Sequence, residues 1–223
     1  MKAVSLQLAK AHYVTTAHFS NGAQNLAETR TLRWLRRRDG HNIHDIRMSL
    51  SSVSQAADRL DSRVDAWYGP ARRNAFLNSI MVAASTLGDW SLIWHLTGAT
   101  RGLLTREFRE IFLLSILLGV ESLIVNQGIK RLFRRQRPTE HGAEGLTVRK
   151  PRTSSFPSGH ASAAGFAVVM LSAMTGGWWM LLWIFIATTV ATSRFHVRIH
   201  HATDVVAGAF VGAALATALL PLL

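Results

Sequence analysis

The sequence predicts an all-α protein, a multi-pass transmembrane helical bundle of about five spanning helices behind a basic, amphipathic N-terminal region. Three observations predict it. The mean hydropathy is +0.16 despite a formal net charge of +12, so charge and apolar mass are segregated along the 223 residues. The charged residues gather in two places, 2–73 and 130–152. From residue 74 onward apolar segments follow one another with almost no charged face, and a soluble bundle needs such a face toward water.

Residues 1–73 form the first region. The first twenty residues contain His12, His18 and several hydroxyl side chains but no continuous apolar core, so no signal peptide is expected. Arg30, Arg33, Arg36, Arg37 and Arg38 make a basic run around Trp34 and Leu35. Ile46, Leu50, Val53, Ala57, Leu60 and Val64 recur at three- and four-residue steps, which predicts a helix over 46–67. Such a helix fits an anionic membrane face or a solvated cap equally well.

Residues 74–223 form the second region, with apolar segments at 75–97, 108–129, 158–175, 178–192 and 202–223. A spanning helix takes about 20 mainly apolar residues. The second and fifth segments meet that length. The third is rich in Ala and Gly and suits close helix packing. The fourth opens on Trp178 and Trp179, side chains that favour the membrane interface, and must extend toward His200 to span. Gly176-Gly177 makes the turn between the third and fourth. Asp89 and Glu121 interrupt apolar segments, and both are expected to be structural hydrogen-bonding groups facing the protein interior.

Composition excludes several chemistries. The chain has no Cys, hence no disulfide, thiolate nucleophile or Cys-ligated metal. A nucleic-acid binder of this charge is polar throughout, so no nucleic-acid partner is expected.

Three charged clusters stand at the mouths of the apolar segments. They are Lys130-x6-Arg137-Pro138, Pro157-Ser158-Gly159-His160, and Ser193-Arg194-x5-His200-x3-Asp204. Lys130, Arg137 and Arg194 suit a dense anion. His160, His200 and Asp204 can serve as proton donor, nucleophile and orienter. In the middle cluster, Pro157 suits the first turn of a helix, leaving the amides of Ser158, Gly159 and His160 to face an anion. In the third, His200 and Asp204 are four apart and share one helical face, so the carboxylate can hold one imidazole nitrogen and free the other. His196, His200 and Asp204 also repeat at a spacing that can bind a metal. No Glu sits between the histidines, however, and the neighbouring arginines repel a divalent cation, so no metal is expected. Arg131, Arg134 and Arg135 read as juxtamembrane bystanders, and His196 and His201 as interfacial or packing residues.

The order and spacing of these clusters resemble the phosphatidic acid phosphatase type 2 / vanadium haloperoxidase superfamily, in its integral-membrane lipid phosphatase branch. The resemblance covers about residues 74–223, and every motif position is present. It implies that His200 attacks phosphorus and becomes phosphohistidine, that Asp204 orients it, and that His160 protonates the leaving group. Lys130, Arg137 and Arg194, with the amides of Ser158 and Gly159, then stabilise the transferred group, and no cofactor or metal is needed. The implied partners are a lipid phosphate, of isoprenoid or glycerolipid type, and membrane lipids, in a multi-pass protein of the cell membrane. The loop 139–153 and the pocket between the helices set headgroup selectivity. A lipid-linked phosphotransferase, a vanadate-dependent halide oxidation and a non-catalytic anionic-lipid binder are the alternatives. Membrane members usually have six spans where five are counted here. With five, the positive-inside rule places the site in the cytoplasm, whereas members with this signature often face outward.

Overall fold

A computed structural model describes residues 43–139, 146, 148–149 and 153–223. The first twenty residues, the Arg30–Arg38 run and most of the loop 139–153 lie outside the described residues. Residues 1–58 form one unit and Arg59–Leu223 another, and the site belongs wholly to the second.

Among the described residues all regular structure is helical. Helix α1 (Ile43–Tyr68) matches the periodicity over 46–67 and ends in a 3₁₀ turn, Gly69–Arg73. Helix α2 (Ala75–Gly88) starts at Asn74, whose Oδ1 accepts the Leu77 amide at 3.0 Å. Helix α3 is Leu92–Thr105. Helix α4 (Phe108–Ser122) continues through a π-wound stretch, Leu123–Ile129, into one α turn, Lys130–Leu132. Helices α5 (Gly159–Thr175), α6 (Trp179–His196) and α7 (Ala202–Leu219) complete the bundle.

The expected single segment 75–97 is corrected. It breaks at Asp89–Ser91, where Trp90 (φ 57°) and Ser91 (φ 59°) are both left-handed. Two successive non-glycine residues in that region cost of order 1–3 kcal/mol each. The pair α2–α3 nonetheless runs the length of the bundle. Asn78 bonds His196 and Ser85 bonds Arg194, both at the C-terminal end of α6, while Gly88 lies against Val190. Past the break, Arg101 donates to the Met174 carbonyl at the far end of α5 (2.6 Å) and pairs with Glu110.

Helix α5 is the buried centre. Its Phe166, Met170 and Leu171 join Trp94, Leu114, Leu118, Trp183 and Val190 in the core. The close partner of α5 is α7, through glycines. A Cβ on Gly212 would enter the Ser162 carbonyl, one on Gly208 the Ser158 carbonyl, and one on Gly165 the Ala209 carbonyl. Gly208 and Gly212 form a G-x-x-x-G pair, the spacing that lets two helical backbones touch.

The outer faces are apolar. Phe112, Ile116, Leu123, Leu181, Phe185 and Phe210 are all exposed, a surface suited to lipid rather than water. Among the described residues one helix is both long and apolar enough to cross a membrane, Ala202–Leu222, with a hydropathy of 2.1. Helix α6 extends beyond the expected 178–192 to His196, and α5 has 17 residues.

Candidate active site

The eight residues singled out in the sequence converge at one end of the bundle, around the start of α5. Five of them, Lys130, Ser158, Arg194, His200 and Asp204, are buried.

Helix α5 begins at Ser158, whose Oγ accepts the Ala161 amide at 3.5 Å, so Pro157 precedes the helix rather than occupying its first turn. The bond Phe156–Pro157 is cis. The expectation that the Ser158 amide faces an anion is corrected, because that N–H donates to the Asp204 carbonyl at 3.0 Å and ties α5 to α7. The first-turn amides of Gly159 and His160 have no intrahelical acceptor by the geometry of a helix start. Gly159 is required by space: a Cβ there would lie 2.7 Å from Asn126 Oδ1 and 3.3 Å from Lys130 Nζ. The Lys130 ammonium therefore hangs directly over the start of α5.

Arg194 is fully buried. Its Nη1 donates to Ser85 Oγ, and its Nε and Nη2 have no hydrogen-bond partner. Native interiors leave few buried donors unpaired. A guanidinium with two idle donors, beside Lys130 and Arg137, describes a cradle for the oxygens of a tetrahedral anion. Arg137 holds the loop, donating to the carbonyls of Ile199 (3.0 Å) and Thr153 (3.1 Å), and its Nε is also buried without a partner. Burial pushes the Lys130 ammonium down to about 8, the charges of Arg137 and Arg194 push the same way, and Glu121 and Asp204 oppose them.

His200 stands between an acid and a cation. Arg137 Nη1 is 3.2 Å from Nε2. A guanidinium can only donate, so Nε2 presents its lone pair and the ring proton is on Nδ1. Nδ1 lies 3.4 Å from Ser155 Oγ and 3.7 Å from Asp204 Oδ2. Ser155 Oγ donates to that carboxylate oxygen at 2.6 Å, so the link from Asp204 to His200 runs in part through a hydroxyl. Burial first, then the cations Arg137, Arg194 and Lys130, push the His200 imidazole down to about 3, against the nearby Asp204 carboxylate. The ring is therefore neutral, with Nε2 unprotonated, throughout the physiological range.

Asp204 is held from several sides. As the third residue of α7 its Oδ2 accepts the His201 amide at 2.9 Å. Arg135, expected to be a bystander, is corrected: its Nη1 donates to Asp204 Oδ1 at 2.7 Å and its Nη2 to Asp61 Oδ2 at 2.7 Å. Asp61, buried on α1, also accepts from the Thr203 amide and hydroxyl. Arg131, Arg134 and Arg135 carry the same charge, and only folding separates the one that meets the carboxylate. Arg131 bonds Gln127 at 2.8 Å on an exposed face, as expected of an interfacial residue. His196 bonds Tyr68 (3.0 Å) and Asn78 (2.8 Å) through its two nitrogens, so both are engaged away from His200.

The two isolated acids find partners. Glu121 accepts from the Ser162 hydroxyl inside the bundle. Asp89, at the break between α2 and α3, places Oδ1 3.0 Å from His160 Nε2, which also contacts the Ser85 carbonyl at 3.2 Å. A basic cleft of 660 Å³ opens beside Lys130, lined by Asn126, Gln127, Arg131, Arg134 and Gln136 among others.

The family model of the PAP2 superfamily matches residues 110–223. A decaprenylphosphoryl-5-phosphoribose phosphatase of Mycobacterium tuberculosis is 38% identical over 85 residues, 38% of this chain and 46% of that protein. The chain thus aligns with about half the length of that relative. An undecaprenyl-diphosphatase of Sulfolobus acidocaldarius is 30% identical over 139 residues, 62% of this chain and 66% of that protein. Among solved structures, a transmembrane PAP2-type phosphatidylglycerolphosphate phosphatase from Bacillus subtilis has the same fold, with a TM-score of 0.57 at 20% identity over 88% of this chain and 94% of that one. Aquifex aeolicus LpxE gives a TM-score of 0.53 at 21% identity over 66% of this chain and 87% of that one. Every site residue from Lys130 to Asp204 lies inside the matched region, and the chain belongs to the PAP2 superfamily.

Proposed function

We propose that this protein is an integral-membrane phosphatase that hydrolyses a lipid phosphate or diphosphate, of isoprenoid or glycerolipid type, through a phosphohistidine intermediate. The observation that carries the reading is the pair of idle donors on buried Arg194, beside a His200 whose Nε2 is held by Arg137 of the same cradle.

In the first step the substrate phosphate takes the donors of Arg194, Lys130, Arg137 and the amides of Gly159 and His160. Arg137 shifts its Nη1 from His200 to a phosphate oxygen. Nε2 then attacks phosphorus as the bond to the leaving oxygen breaks, and His160 gives that oxygen a proton. In the second step water attacks the phosphohistidine, His160 takes the proton of the water, and phosphate leaves with the Nε2 lone pair restored. The fixed cations stabilise the charge on the equatorial oxygens in both steps. Ser155 and Arg135 hold the Asp204 carboxylate that orients His200, and Asp61 fixes Arg135.

Residues 74–223 form the catalytic domain, in a multi-pass protein of the cell membrane. The five spans are the broken pair α2–α3, then α4, α5, α6 and α7. The part of the headgroup not transferred lies in the basic cleft beside Lys130.

The test is phosphate release from a panel of lipid phosphates in detergent. Wild type releases phosphate with or without EDTA, and His200→Ala and His160→Ala both abolish release from alkyl lipid phosphates. Full activity in either variant, or loss of activity with EDTA, contradicts the mechanism.

A further inference from the structure

We infer that Asp89 is a positioning residue for the proton transfer from His160, and that the break between α2 and α3 exists to bring its carboxylate there. The inference rests on the reading of His160 as general acid.

Four observations carry it. Asp89 Oδ1 is buried, lies 3.0 Å from His160 Nε2, and has no other hydrogen-bond partner. The second neighbour of Nε2 is the Ser85 carbonyl at 3.2 Å. Both neighbours only accept, so Nε2 carries a proton and the proton given to the leaving oxygen comes from Nδ1. The backbone follows the same logic. Asp89 has extended φ/ψ (−61°, 133°), and the next two residues are left-handed before the helix resumes. An unbroken helix would avoid that strain, and backbone strain of this kind gathers at functional sites. Space is also reserved: a Cβ on Gly88 would sit 2.5 Å from the His160 ring.

The chemistry that follows is specific. A general acid must be an imidazolium when the leaving group departs. Burial and the like charge of Arg194 beside His160 both oppose that form. Asp89 is the anion placed to favour the imidazolium. It never touches the substrate. It holds Nε2–H and keeps Nδ1 aimed at the leaving oxygen, as the Asp of a catalytic triad holds its His. Sequence reasoning marks Asp89 as an acid lacking a partner, because the partner is 71 positions away in the chain.

A leaving-group comparison tests the inference. An alkyl lipid phosphate needs a proton on its departing oxygen, whereas an aryl phosphate such as p-nitrophenyl phosphate departs without one. Asp89→Asn is expected to lower kcat/KM for the alkyl substrate by about tenfold or more, and for the aryl substrate by less than about threefold. His160→Ala is expected to show the same split, and larger. Equal losses on both substrates in Asp89→Asn, or no loss on either, overturn the role of Asp89 while the His160 split still stands. Absence of the split in His160→Ala overturns the general-acid reading itself, and the inference with it. If Asp89→Asn does not fold, Asp89→Ser answers the same question, since a hydroxyl can accept a bond but carries no charge.

Discussion

Lys130 shows how one side chain couples binding to pH. Its ammonium is buried among cations and its pKa is pushed down to about 8. The group is therefore charged below that pH and neutral above it. In the free enzyme, kcat/KM for a lipid phosphate is expected to fall as pH rises through about 8, mainly through KM. Lys130→Arg keeps its charge far into the alkaline range, so the fall should move to higher pH even if the maximum rate is lower. An unmoved alkaline limb in that variant assigns the titration to another group. Arg135 is the counterpart that charge counting missed. It bridges Asp61 and Asp204, both buried. Arg135→Ala leaves two carboxylates short of a donor and should cost about 1–3 kcal/mol of stability. The check is a lower Tm in detergent, accompanied by reduced turnover, whereas Arg131→Ala should leave Tm unchanged.

At the level of elements, the sequence made α5 and α7 legible as apolar segments and the Ala and Gly of α5 as packing residues. It did not show that the contact is backbone against backbone, since that depends on which face each helix turns inward. The consequence is measurable. Gly212→Ala drives a Cβ into the Ser162 carbonyl and should lower Tm by several degrees with loss of activity. Gly119→Ala is the control. Nothing lies within 4 Å of its Cβ position, so Ala should be neutral or stabilising by up to about 1 kcal/mol from helix propensity. The break in 75–97 was not legible. Its residues Gly88, Asp89, Trp90 and Ser91 sit in an apolar run, and hydropathy alone reads such a run as continuous. What breaks it is tertiary: the His160 ring occupies the space beside Gly88, and Ser85 is drawn onto Arg194. Likewise α1 was visible as a helix, but the clamp from Asp61 to Thr203 and Arg135 joins residues more than 70 positions apart.

For the whole molecule, the three motifs carried most of the site, because their spacing places each residue at or near a helix end. The chain runs from Asp204, at the site, down α7 to Leu222, whose carbonyl accepts from Arg109 at the foot of α4. The C-terminal end of α7 therefore lies at the opposite end of the bundle from His200. With five spans, a reporter fused at the carboxyl terminus should fall on the membrane face away from the site, and substituted-cysteine labelling at Thr139 should report the other face. Both labels on one face contradict the five-span arrangement. The central claim is that His200 is the nucleophile, and the most direct measurement is chemical trapping. Protein mixed with ³²P-labelled lipid phosphate and quenched during turnover should carry label that is stable in alkali, lost in acid and located by mass spectrometry on His200. His200→Ala should carry none. Turnover without labelled protein, or label on another residue, contradicts the account.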